Sequence, residues 1–174
     1  MTGGPRSDLI EAALTALADG RSAVLIGEPG IGKTTIARTV AERRGGRTRW
    51  GQALAALDWV PYLPLARAVR EELGGSLVDV AARVVDRVGA ALLVVDDLHW
   101  ADPDTIRALP LIMEQLPVLG CVRSTHAGTA AVLDSLEAGA EVLAVGPLDD
   151  DAAAGLVRAV VADVVEVVLL QHHL

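Results

Sequence analysis

A six-residue apolar run, Ser22–Gly27 (SAVLIG), leads directly into Gly27-Glu28-Pro29-Gly30-Ile31-Gly32-Lys33-Thr34, and a segment of helical composition, Lys33–Arg44 (KTTIARTVAERR), follows before Gly45 and Gly46. Strand, glycine-rich turn, helix is the setting that a phosphate-binding loop requires, and the spelling (glycine, four residues, then Gly-Lys-Thr) is the pattern itself. The glycines let the backbone wrap around phosphate oxygens with its amides pointing inward, while the helix presents its positive end to the same anion. Lys33 is placed to reach the β and γ phosphates, and the Thr34 hydroxyl to ligate Mg²⁺. A plain glycine-rich turn would need neither the lysine nor the hydroxyl. A dinucleotide-binding fingerprint fits less well, because no third glycine follows Gly30 and Gly32 and the lysine has no role in it.

Lys33 stands out in composition too. Of 15 basic residues in the 174, it alone is a lysine. Arginine serves wherever charge suffices, whereas a compact ammonium among phosphates is not replaced by a planar guanidinium. The remaining composition bounds the chain to about one soluble domain: 52% of residues are hydrophobic and 22% charged. Only Trp50, Trp59, Trp100 and Tyr62 are aromatic, so the core must be built from Leu, Val, Ile and Ala. A net charge of -8 argues against direct nucleic-acid binding by this domain, since that affinity comes from clustered Lys and Arg. A single cysteine, Cys121, allows no internal disulfide and no cysteine-based zinc site, and reads as a small core residue. No signal peptide is visible at the N-terminus, and the apolar tail from Val160 is broken by Asp163 and Glu166, too short to span a membrane. The expected location is cytoplasmic.

Along the chain, short apolar runs alternate with helical stretches, the pattern of a parallel sheet covered on both faces. A helix is expected from Ser7, as cap, to Ala18, and a weakly patterned second strand around Trp50. Two helices follow, about Leu65 to Leu73 and Leu77 to Val88, with Ser76 capping the second. The clearest strand is Ala90 to Asp97 (AALLVVDD). Asp102, Pro103 and Asp104 begin a helix that Pro110 should kink or shorten. Val118–Arg123 and Glu141 to Gly146 read as further strands flanking a helix at Thr129–Leu136, and a last helix is expected from about Asp150.

Asp96 and Asp97 end the strongest strand, at the carboxyl edge of the sheet where open α/β folds bind ligands. Paired with the phosphate loop, Asp96 is expected to hold Mg²⁺ and Asp97 to polarise the attacking water, slowly because it is one methylene shorter than glutamate. Solvated turn acids are the alternative reading. Arg123 is expected either to sense the γ phosphate, to pair with Asp96 or Asp97 in the empty site, or to serve as an ordinary surface cation. Trp100 reads as packing, and His99 as without metal partners, His126, His172 and His173 being scattered.

GEPGIGKTT, LLVVDDLHWADPDT and a later strand ending in VR together resemble the nucleotide-binding domain of STAND-type signal-transduction ATPases, in particular the LuxR-type large ATP-binding bacterial regulators and their AAA-like relatives. The DDLHWADPDT string is the more specific part. The resemblance implies a P-loop NTPase three-layer sandwich with a mostly parallel five-stranded sheet in the order 5-1-4-3-2. It also implies ATP and Mg²⁺ as ligands, bound at Gly27, Glu28, Pro29, Gly30, Ile31, Gly32, Lys33, Thr34 and Thr35, with Thr34 and Asp96 on the metal and Lys33, Asp97 and Arg123 as catalytic residues. Residues 1–163 are expected to form the ATP-binding domain and 164–174 an apolar tail. The lid and winged-helix segments of such proteins do not fit after Gly146, so the expected partners are ATP and either missing C-terminal sensor or effector segments or a separate protein. Two other functions remain open at this stage. A small kinase would need an acceptor site, for which Arg67, Arg70, Arg83 and Arg87 could serve, although their spacing reads more simply as a solvated helix face. A truncated, non-hydrolysing interaction module would dock through its exposed apolar tail.

Overall fold

Three of the five strands are buried apolar runs with no room for a solvated face, and a computed structural model places them as expected, in a sheet sandwiched between helices. The structure describes residues 5–136 and 138–147. The order of elements is α1 (Pro5–Ala18), β1 (Ser22–Gly27), α2 (Lys33–Arg44), β2 (Thr48–Gln52), a 3-10 turn (Ala55–Leu57), α3 (Leu63–Val69) and α4 (Leu77–Val88). Then come β3 (Leu92–Asp96), a second 3-10 turn (Leu98–Trp100), α5 (Pro103–Met113), β4 (Val118–Arg123), α6 (Thr129–Leu136) and β5 (Ala140–Ala144). The strands run β2-β3-β4-β1-β5 and every pairing is parallel. Read from the other edge this is 5-1-4-3-2, as expected. The last expected helix and the tail 164–174 lie outside the described residues.

Side chains alternate across a strand, so each buried strand feeds two cores. Leu92 and Val94 of β3 join Leu25 of β1, Leu119 and Cys121 of β4 and the apolar stripes of α1 and α2. Leu93 and Val95 face the opposite way and join Val80, Val84, Leu109, Ile112 and Leu136 from α4, α5 and α6. With no phenylalanine, both cores are close mosaics of aliphatic side chains, and Cys121 is one of those pieces. Burial raises its thiol well above the ordinary range, which suits an inert filler.

Several boundaries differ from the sequence reading. α1 starts at Pro5, so Ser7 lies inside the helix and does not cap it; proline with its fixed φ is suited to a first turn. α3 begins two residues early and ends at Val69, because Arg70 turns into the left-handed region (φ 59°) and closes the helix with its N–H on the Ala66 carbonyl. No glycine marks that stop. Pro110 neither breaks nor shortens α5, which continues to Met113. The carbonyl that proline deprives of a donor, Ile106 O, accepts instead from the Ser135 hydroxyl of α6 at 3.2 Å.

Strand β2 is the weakest in pattern, and its place is set by close packing. A Cβ on Gly51 would lie 2.0 Å from the Pro64 carbonyl oxygen and 3.3 Å from the Ala68 Cβ, so α3 seats directly on that backbone. Trp50 is covered by the Arg38 guanidinium, 5.9 Å from its ring centre. Gly51→Ala should therefore cost about 3 kcal/mol, the upper end of overpacking. Chemical denaturation checks this; a loss below about 1 kcal/mol would mean α3 can lift away freely.

Candidate functional site

The phosphate loop takes the shape its glycines permit. Gly30 (φ 75°) and Gly32 (φ 99°) are left-handed, and a Cβ on Gly32 would meet an Arg6 guanidinium nitrogen at 2.8 Å. Arg6 Nη2 donates to the Ile31 carbonyl, so α1 braces the loop from outside. The first rung of the α2 ladder is Ile36 N to Gly32 O at 3.0 Å, which leaves the amides of Lys33, Thr34 and Thr35 ahead of the ladder at the positive end of the helix.

Lys33 is buried, 7% exposed. Its Nζ donates to Gly27 O (2.9 Å) and Glu28 O (2.8 Å), bridging the mouth of the loop. Burial lowers its pKa, and nearby Arg123 pushes the same way. Across from it, β3 delivers the two acids. Asp96 is buried and accepts from Thr34 Oγ1 (2.8 Å) on Oδ2 and from the Asp97 amide (2.9 Å) on Oδ1. Asp97 leaves the strand through a left-handed turn, φ 55°. Its Oδ2 accepts from Gln52 Nε2 at 3.2 Å, and its Oδ1 faces Arg123 Nε at 3.9 Å and His99 Nε2 at 3.8 Å.

These groups share one cleft of about 300 Å³, lined by Pro29, Gly30, Gly32, Lys33, Thr34, Asp97 and Arg123. Asp96 reaches its edge through Thr34. Of the other expected contacts, Gly27 and Glu28 contribute carbonyls to Lys33, Ile31 packs into the α1–α2 core, and the exposed side chains of Glu28 and Thr35 do not line the cleft. Thr34 and Asp96 already converge as hard oxygen donors, the donor type that Mg²⁺ takes, so the residues present fit that ion. The arginines considered for a kinase acceptor site, Arg67, Arg70, Arg83 and Arg87, are exposed and line none of it.

The sequence reading missed three contributors. Gln52 carries no motif; only the register of β2 on β3, which sets Gln52 beside Asp96, brings it to the acids. Arg6 lies 25 residues from the loop carbonyl it braces. His126, taken as scattered, is not: its ring lies 5.0 Å from that of His99 and 4.1 Å from Trp100. Adjacent parallel strands β3 and β4 place the two following loops side by side, which spacing along the chain does not reveal. Among the described residues no set of three metal-ligating side chains forms there.

The His99 side chain is fully buried, and neither ring nitrogen has a hydrogen-bond partner. Burial pushes its pKa down from 6.5 to about 4; Asp97 opposes this, while Arg123, His126 and Lys33 add to it. Between those pH values the unfolded chain binds the proton and the folded one does not, so stability falls as pH drops through that window. His99→Gln should flatten that slope, read as denaturation midpoints at about pH 7 and about pH 4.5. Identical slopes would show that His99 titrates alike in both states.

No protein-family model matches the chain, and no curated protein does. Solved structures do share its fold. Drosophila ORC bound to DNA aligns over 84% of this chain and 44% of its own, with a TM-score of 0.56 and 15% identity. The S. cerevisiae Hsp104:casein complex in its extended conformation aligns over 83% of this chain and 27% of its own, with a TM-score of 0.52 and 21% identity. The chain therefore spans less than half the length of either. What they share with this chain is the fold, a parallel five-stranded α/β sheet covered by helices. No helix among the described residues is long and apolar enough to cross a membrane.

Proposed function

We propose that this chain is the ATP-binding switch domain of a signal-transduction or transcription-regulator ATPase of the LuxR-type STAND class, and that it hydrolyses ATP slowly. The observation that carries this reading is the convergence of Lys33, Thr34, Asp97 and Arg123 on one cleft, with Asp96 bonded to Thr34 at its edge, from three separate stretches of chain.

The chemistry asked of each residue follows from its position. The loop amides and the α2 N-terminus receive the phosphate oxygens. Lys33 turns its ammonium from the Gly27 and Glu28 carbonyls to the β and γ phosphates. Thr34 and Asp96 would hold Mg²⁺, which when bound neutralises charge building up on the phosphates. Arg123 leaves Asp97 for the γ phosphate. Asp97 orients a water in line with the γ phosphorus and takes its proton as the new P–O bond forms and the bond to ADP breaks. Its short side chain is the reason for slow turnover. The state is then read by C-terminal sensor or effector segments, or by a separate protein. The net charge of -8 gives the domain itself no electrostatic grip on nucleic acid.

A thermal-shift titration tests the binding. With Mg-ATP at about a hundredfold excess over Kd, the midpoint should rise by about 5–10 °C and keep rising with concentration. Mg-GTP should give a smaller shift. No shift at millimolar ATP would overturn the reading in favour of a module that binds no nucleotide.

A further inference from the structure

Asp97 has two carboxylate oxygens and three side chains directed at them. Gln52 Nε2 holds Oδ2 at 3.2 Å. Arg123 Nε and His99 Nε2 both face Oδ1, at 3.9 and 3.8 Å, and neither is close enough to form a hydrogen bond. One oxygen thus has two competing neighbours. Arg123 is partly exposed and lines the cleft, so it is free to move toward an incoming anion. His99 is not: its side chain is fully buried, with Trp100 and His126 against it at ring-centre distances of 5.3 and 5.0 Å. His126 is itself tied down, its Nδ1 accepting from the Gly128 amide at 3.0 Å. Buried polar atoms in folded proteins are almost always paired, and both His99 nitrogens lack partners. The Asp97 carboxylate oxygen is a strong acceptor less than an ångström beyond bonding reach of Nε2.

We propose that His99 is a positioning residue that captures Oδ1 of Asp97 when Arg123 leaves it for the terminal phosphate, so that the carboxylate exchanges one partner for another and stays fixed. This rests on the nucleotide-binding reading above. Without His99, departure of Arg123 would leave Asp97 held by Gln52 alone and free to rotate about that single bond. With it, arrival of the phosphate at Arg123 and fixing of Asp97 for the attacking water are one event. The Trp100–His126 contact carries the same event to the start of α6, where the Thr129 hydroxyl donates to the Arg123 carbonyl.

The test follows the His99 imidazole by ¹⁵N–¹H NMR in the whole chain. Addition of Mg²⁺ with a non-hydrolysable ATP analogue should move the Nε2–H proton downfield, as a new bond to a carboxylate does, and ADP should not. The Arg123→Ala variant should show that bond already in the nucleotide-free protein, because nothing competes for Oδ1. In turnover, His99→Phe should lower kcat about tenfold with KM and nucleotide affinity within about twofold, since misplacing a catalytic group costs rate and not binding. His99→Gln, which keeps a donor near the Nε2 position, should restore most of it. An imidazole signal indifferent both to the analogue and to Arg123→Ala would overturn the proposal, as would an unchanged kcat in a folded His99→Phe variant. Failure of wild-type protein to bind Mg-ATP would sink the nucleotide reading instead, and the Arg123→Ala arm would still decide the exchange in the free protein.

Discussion

Replacing Lys33 by alanine is expected to weaken Mg-ATP binding by roughly 10²–10⁴-fold while leaving the unliganded fold intact. Two charge-assisted hydrogen bonds to phosphate, at about 1.5–3 kcal/mol each, account for that loss. The fold should survive because both carbonyls that Lys33 engages keep another donor. Gly27 O accepts from the Ser124 amide at 3.1 Å, and Glu28 O from the Ile31 amide at 3.3 Å. Burial already disfavours the ammonium, as its lowered pKa records, so removing it relieves a cost. The free protein should melt at or slightly above the wild-type temperature, and the ATP-induced rise should vanish. Lys33→Arg should fail similarly, its planar guanidinium being too wide for the loop. Equal binding of labelled ATP by wild type and Lys33→Ala would remove the lysine from the site.

The largest effect on stability is expected from Asp102→Ala. Asp102 is 3% exposed. Its Oδ1 accepts from the amides of Tyr62 (3.0 Å) and Thr105 (2.9 Å), and its Oδ2 from the Thr105 hydroxyl (2.6 Å). One carboxylate therefore caps α5 and also pins the turn before α3, where Tyr62 sits at φ 58°. Alanine would strand two buried amides and release that turn, at a cost of about 3–5 kcal/mol, a large share of a typical domain's stability. Asp102→Asn, which keeps the Oδ1 acceptor, should recover about half. Urea denaturation reads this as a lower midpoint with unchanged slope. A loss under about 1 kcal/mol would mean that solvent or a repacked turn takes over the amides.

What could be read from the sequence is what local chemistry determines. Ser22–Gly27, Lys33–Arg44, Leu77–Val88, Val118–Arg123 and Thr129–Leu136 match their expected limits because glycines, a Ser76 cap or an abrupt charge closes each one. The sheet order followed from the resemblance, not from any periodicity in the chain. Lys33, Thr34, Asp96, Asp97 and Arg123 could be picked out because each lies at or next to the end of an element at the sheet's carboxyl edge. The stop of α3 at Arg70 could not, since an arginine at positive φ carries no composition signal. Nor could Gln52, whose approach to Asp97 depends on the register of β2 on β3. The His99–Trp100–His126 group belongs to the same class: it exists only because two crossovers land in adjacent loops.

Pro110 acts well beyond its own helix. By leaving the Ile106 carbonyl free, it creates an acceptor that the Ser135 hydroxyl takes, tying α6 to one point along α5. The other end of α6 begins at Thr129, whose hydroxyl holds the Arg123 carbonyl. A flaw in one helix thus becomes a ruler for the next, and that ruler's far end reads out where the cleft's arginine starts.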